Sequence, residues 1–229
     1  LADWSASVNA TDGTGFTGTL AASTRIHSLR FDAASGSSTV TVGTGDILDI
    51  ATGGLLITNS VATGNPMITG GRITTGALNE LVVTHDGAAP FTLASRMMAS
   101  LALTKAGSGL MVLDHANNTA TGTVRVTGGT LRLQGGGAIG DRAAVVMEPA
   151  SGVLLDVVDS ETIGSLSGGD TSNYRNMAIA IADGKALTIN QGAAGTFYGH
   201  INAASGAATL NKTGSGTLTI TDGLIHLGL

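Results

Sequence analysis

Two copies of one phrase, 107 positions apart, constrain this chain more than any other feature. Leu103-Thr104-Lys105-Ala106-Gly107-Ser108-Gly109-Leu110-Met111-Val112-Leu113 returns as Leu210-Asn211-Lys212-Thr213-Gly214-Ser215-Gly216-Thr217-Leu218-Thr219-Ile220. Each copy reads as a short apolar strand, a Lys-x-Gly-Ser-Gly turn and a second short strand. The candidate turn residues are Lys105, Gly107 and Gly109 in the first copy, and Lys212, Gly214 and Gly216 in the second. Gly128 and Gly129 mark a further turn downstream of the first. A small unit that cannot bury its own apolar face, and that recurs, is expected in chains built by stacking. Such chains present surface or span distance, so one catalytic pocket is not the first expectation.

Strand-like runs punctuated by Gly, Asp, Asn or Ser recur along the rest of the chain. They include 25–31, 38–42, 46–51, 55–58, 80–84, 123–126, 130–133, 144–147 and 153–157, then 177–181, 186–189, 196–201 and 224–227. Within Ser-Ser-Thr-Val-Thr-Val and Thr-Leu-Arg-Leu one face is apolar and the other is Thr or Arg. Period-2 alternation in short runs argues for an all-β fold. The best helical candidate, Ala88–Leu103, carries Pro90 near its start, and at most one helical turn is expected there.

Sandwich, barrel and solenoid all accommodate short strands. The repeated phrase, the Gly-Gly and Gly-x-Gly turns (Gly53-Gly54, Gly70-Gly71, Gly128-Gly129, Gly135-Gly136-Gly137) and the Thr, Val, Leu and Ile runs favour the solenoid. The expectation is a single-stranded parallel β-helix with roughly 20 residues per rung and about ten rungs, on the order of 50 Å long. Right-handedness follows from the crossover rule for parallel strands. No linker or shift in charge divides residues 1–229, so one continuous segment is expected.

Composition excludes several functions. Gly numbers 35 and charged residues make up 12%, against about 7% and about 25% in an ordinary domain. Yet 42% hydrophobic residues supply enough apolar surface to exclude disorder. The net charge is −5 with no basic stripe, which argues against nucleic acid and anionic lipid. No apolar run approaches the roughly 20 residues of a membrane helix. Cysteine is absent, so neither disulfides nor thiolate metal sites contribute. The chain starts at Leu1 and stops inside the apolar run Gly223–Leu229, which reads as part of a longer protein.

Candidate chemistry is sparse. Asp156, Asp159 and Glu161 form the densest acidic group and read as a solvated turn. Asp46 and Asp49 flank apolar residues at odd spacing, which puts them on opposite faces of a strand. Asp114-His115 reads as a turn, and His27, His85, His200 and His226 show no metal-ligand spacing. Gly107-Ser108-Gly109 and Gly214-Ser215-Gly216 lead into strands, so a phosphate loop at a helix N-terminus is rejected. Asn117-Asn118-Thr119 and Asn211-Lys212-Thr213 fit the glycosylation sequon. Trp4, Phe16, Tyr174, Phe197 and Tyr198 are expected to cover core ends or rung edges rather than stack on sugars.

The stretch from Leu103 to Leu133, with Leu-Thr-Lys-Ala-Gly-Ser-Gly at its head and Thr-Gly-Gly-Thr-Leu-Arg-Leu at its tail, resembles the autotransporter-associated β-strand repeat. Ile163-Gly164-Ser165-Leu166-Ser167-Gly168 resembles the phrase that often follows it, and Leu210–Thr221 opens a second copy. The likeness is specific for residues 101–133 and 207–222. Asp114-His115 stands where the family often has Ser-Gly, and Ala120 where it often has Tyr. The resemblance implies a right-handed β-helix passenger of a Gram-negative surface or secreted protein. Full-length relatives would carry an export signal and often an outer-membrane barrel. It brings no catalytic residues and no cofactor.

These readings together predict a structural, non-enzymatic segment acting as a fibre, spacer or adhesive scaffold at the bacterial surface. The expected partners are further rungs or copies at the solenoid ends, surface glycans, or a host receptor. The alternative is a carbohydrate-binding or polysaccharide-cleaving β-helix, which needs acidic and aromatic side chains gathered on one face.

Overall fold

Alternating side chains need an inside and an outside, and this chain supplies both by winding. The computed structural model describes residues 4–172, 176–203, 207–221 and 225–226. Strands of successive rungs pair in parallel to form a β-solenoid. Ten strands make the first face, from Asn9–Thr11 to Leu218–Ile220, and an eleven-stranded sheet makes the second. The described residues contain no helix.

The interior is a set of ladders. On the second face Ile68, Leu93, Leu113, Leu133, Val157 and Ile181 follow one another rung by rung, each 0–1% exposed. On the first face Leu29, Leu55 and Val83 stack in the same way, and the next place in that ladder belongs to Lys105. Each apolar step contributes about 1.5–3 kcal/mol of burial. At the N-terminal end Trp4 meets Phe16 edge to face at 5.8 Å, and both pack against the core.

The third side is built in three different ways. Near the N-terminus, long second-face strands bend around the corner to cover it: Thr39–Ile50 and Met67–Thr74 both shift register midway. From Glu161 onward it is a separate three-stranded sheet of Glu161–Ile163, Ala186–Asn190 and Thr209–Thr213. Between these, residues 115–123 and 135–143 cross it as turns. Rung length varies from 19 residues (Ala10 to Leu29) to 29 (Gly168 to Phe197), the difference being shared among the corners.

The structure corrects several expectations. Within Ala88–Leu103 there is no helical turn: Phe91–Met97 is a strand, with Phe91, Leu93, Ser95 and Met97 inward. Neighbours on both sides offer it free hydrogen-bonding edges, and that pairing overrides a locally ambiguous sequence. Gly70 and Gly71 lie inside a strand, where positive φ values of 72° and 35° make the bend. Asp46 and Asp49 do not take opposite faces, because the irregular segment between Val42 and Ile47 breaks the alternation; both stay outside the core. Of the strand expected at 224–227, Ile225–His226 pairs with His200–Ala203, while residues 224 and 227–229 lie outside the described residues, as does Tyr174.

Candidate functional site

Each copy of the repeated phrase turns a corner, but the two copies turn different ones. Ala102–Ala106 lies on the first face and leads to Leu110–Asp114 on the second. Thr209–Thr213 lies on the third face and leads to Leu218–Ile220 on the first. The two copies are therefore not stacked one above the other.

Gly107 and Gly214 hold left-handed φ values of 78° and 75°. A Cβ on Gly107 would stand 2.4 Å from the carbonyl oxygen of His85, and one on Gly214 would stand 2.5 Å from that of Gln191. Gly109 and Gly216 press on the same preceding rungs, at His85 Nδ1 and the Ala193 carbonyl. Gly129 (φ 60°) and Gly128 in turn sit over the Gly107 turn.

Lys105 is the penultimate residue of the strand Ala102–Ala106 and is 0% exposed. Its Nζ donates to the carbonyls of Ala106 (3.0 Å), Gly107 (2.9 Å) and, in the following rung, Gly128 (2.9 Å). Burial lowers its pKa to about 8. Lys212 is exposed, and its Nζ donates to the Thr213 and Gly214 carbonyls of its own turn.

The other corners carry buried polar side chains of the same kind. His85 Nδ1 accepts from the Gly87 N–H, Nε2 has no partner, and burial with the nearby Lys105 charge lowers its pKa to about 4. Asn118 accepts from the Met97 N–H and donates to the Ala138 carbonyl, whose own N–H donates to Glu161 Oε2. Asp12 and Gln191 serve their rungs similarly. Buried backbone groups need partners, and where a corner breaks the ladder a side chain supplies one.

Glu161 departs from the solvated turn expected for the acidic group. It is 4% exposed, Oε1 has no partner, and burial raises its pKa to about 7. Asp156 and Asp159 are outside, bound to Arg132 and Lys185. Asp114 is not in a turn but ends the strand Leu110–Asp114, paired with Gln134; the turn follows at Ala116-Asn117, where the Asn117 N–H donates to His115 Nδ1. Among the described residues no group of three His, Asp or Glu is placed to hold a metal ion.

On the outer surface Arg25, Arg30, Arg125 and Arg132 each pair with a carboxylate. The remaining described arginines, Arg72, Arg96 and Arg142, have no such partner. They line three adjoining concavities of about 180, 440 and 520 Å³ on the third side, the first two sharing Thr119 and the last two sharing Arg142. The sequence alone could not single these residues out, nor His85, Asn118 and Gln191. Only the register across rungs brings them to corners or into one groove.

The chain is similar to the Adhesin BmaC autotransporter of Brucella suis biovar 1 (strain 1330), with 33% identity over 161 residues, 69% of this chain. It is an autotransporter-like β-solenoid. The matched stretch is 4% of that adhesin's length. No protein-family model matches the chain, and no solved structure matches it.

Proposed function

We propose that this autotransporter-like segment is a rigid structural and adhesive part of a Gram-negative cell-surface protein, without enzymatic activity of its own. The observation that carries the reading is the adhesin relative, which matches 69% of a chain wound into ladders and corners. Fibre, spacer and display roles all follow from one mechanical property. Each rung is fixed to its neighbours by strand pairing, glycine contacts and corner side chains, so the surface is held at a set distance and orientation. The outer faces carry exposed Thr, Ser and ion pairs, suited to contact with wet, polar surfaces.

The chain is further proposed to continue through its end rungs, into more of its own protein or into another copy. Negative-stain microscopy with sedimentation on the purified chain separates these outcomes. Monodisperse short rods support a spacer or display segment, and long filaments support end-to-end stacking. Chain-coated beads should adhere to mammalian cells more than albumin-coated beads do, and equal adherence would remove the adhesive part of the reading. A carbohydrate-binding role is the second reading, favoured by the arginine-lined groove.

A further inference from the structure

We infer that the groove along the third side, lined by Arg72, Arg96 and Arg142, binds a linear acidic polysaccharide lying along the solenoid axis. The inference rests on the adhesive reading above and names its ligand class.

Arg72 and Arg96 are register partners on adjacent parallel strands, so two guanidinium stems leave the sheet about 4.8 Å apart. Like charges placed side by side are unfavourable without a counter-charge, and neither has a carboxylate. Arg72 spends one donor on the Gly45 carbonyl and Arg96 one on the Thr119 hydroxyl, both at 2.8 Å. A guanidinium has five N–H donors, so most of each fork stays open, and planar forks suit carboxylate and sulfate groups. Arg142 continues the line at the junction of the two larger concavities.

The groove runs from the strand ends at Arg72 and Arg96, over the turns at 115–123 and 135–143, to the three-stranded sheet at Asn190, and each rung adds residues to it. Asn117, Thr119, Ser165 and Asn190 offer amides and hydroxyls along it. A polymer with a regular rise, hydroxyls on every unit and periodic anionic groups matches that pattern. Asp141 is the carboxylate in the lining, and His115 lies near Arg96. The local balance is positive on a chain of net charge −5. Single-stranded nucleic acid fits less well, since it uses aromatic stacking platforms and no aromatic residue lines the groove.

The test uses the purified 229-residue chain over immobilised polygalacturonate (carboxylate), dextran sulfate (sulfate), neutral dextran and duplex DNA. Binding to one or both acidic polymers, with little on dextran or DNA, is expected, and the preferred polymer identifies the anionic group. The triple variant Arg72→Gln, Arg96→Gln, Arg142→Gln should lose at least about tenfold in affinity. The charge-matched triple Arg25→Gln, Arg30→Gln, Arg132→Gln should lose less than about threefold. Circular dichroism of both variants checks the fold. Absence of binding to either polymer, equal losses in the two triples, or DNA binding as strong as polysaccharide would each overturn the inference. A chain that adheres to cells yet ignores both polymers removes the groove alone and leaves the adhesive reading standing.

Discussion

The Lys105 corner and the Lys212 corner are written in nearly the same letters and solved in different places. Both glycine sets are pressed by the rung before them, whereas the lysines depend on the rung after them. Lys105 gains its third carbonyl from Gly128 of the following rung and is buried by it. No described rung lies over Lys212, which keeps the two carbonyls of its own turn and stays exposed. The phrase is thus a portable corner, usable between any two faces, and its lysine is completed only by stacking.

That comparison can be broken most sharply at the lysines. Lys105→Ala should cost about 4 kcal/mol, since it empties a core position and leaves three carbonyls without a donor. Lys212→Ala should cost less than about 0.5 kcal/mol. Urea unfolding followed by circular dichroism measures both, and similar costs would mean that the following rung adds nothing to Lys105. The glycines should behave alike in the two copies. Gly107→Ala and Gly214→Ala each force a Cβ into preceding-rung backbone at positive φ and should cost about 3 kcal/mol.

The fold was legible in these sequences because period-2 alternation and glycine turns are local signals. Leu110–Leu113 and Thr130–Leu133 announce themselves. Phe91–Met97 did not, because its strand character comes from neighbours that are remote in sequence. The same limit hid the corner at Glu161, which looks acidic and solvated in sequence but sits beneath Leu187 of the next rung. The groove was invisible for a related reason: Arg72 and Arg142 are 70 positions apart and share a surface only once the rungs are stacked.

Two buried ionisable groups extend the comparison to pH. Glu161, raised to about 7, is protonated in the fold and ionised in the unfolded chain between about pH 4.5 and 7. Its contribution is therefore present in acid and falls by about 3 kcal/mol as pH rises through that window. Glu161→Gln should flatten this part of a stability profile, and an unchanged slope would place the effect elsewhere. Lys105, lowered to about 8, works in the next window. Between pH 8 and 10.5 the unfolded chain holds the proton that the fold has released, so stability rises with pH, and Lys105→Met should abolish the rise. The smallest effect belongs to the outer ion pairs. Arg132→Gln, with its partner Asp156 in a half-exposed bridge, should change stability by less than about 1 kcal/mol.

The variable corners have a consequence for what the solenoid can carry. The buried ladders of the two faces stay stacked while rung length moves between 19 and 29 residues, so nearly all the difference is absorbed at the corners and turns. The corners are expansion joints, the one between first and second faces included: 13 positions separate Gly168 from Ile181 there, and 6 separate Phe197 from Ala203. Foreign segments grafted near Gly136 would lengthen one turn and leave both sheets in step. What such a chain displays at its corners can then be changed without redesigning the shaft that displays it.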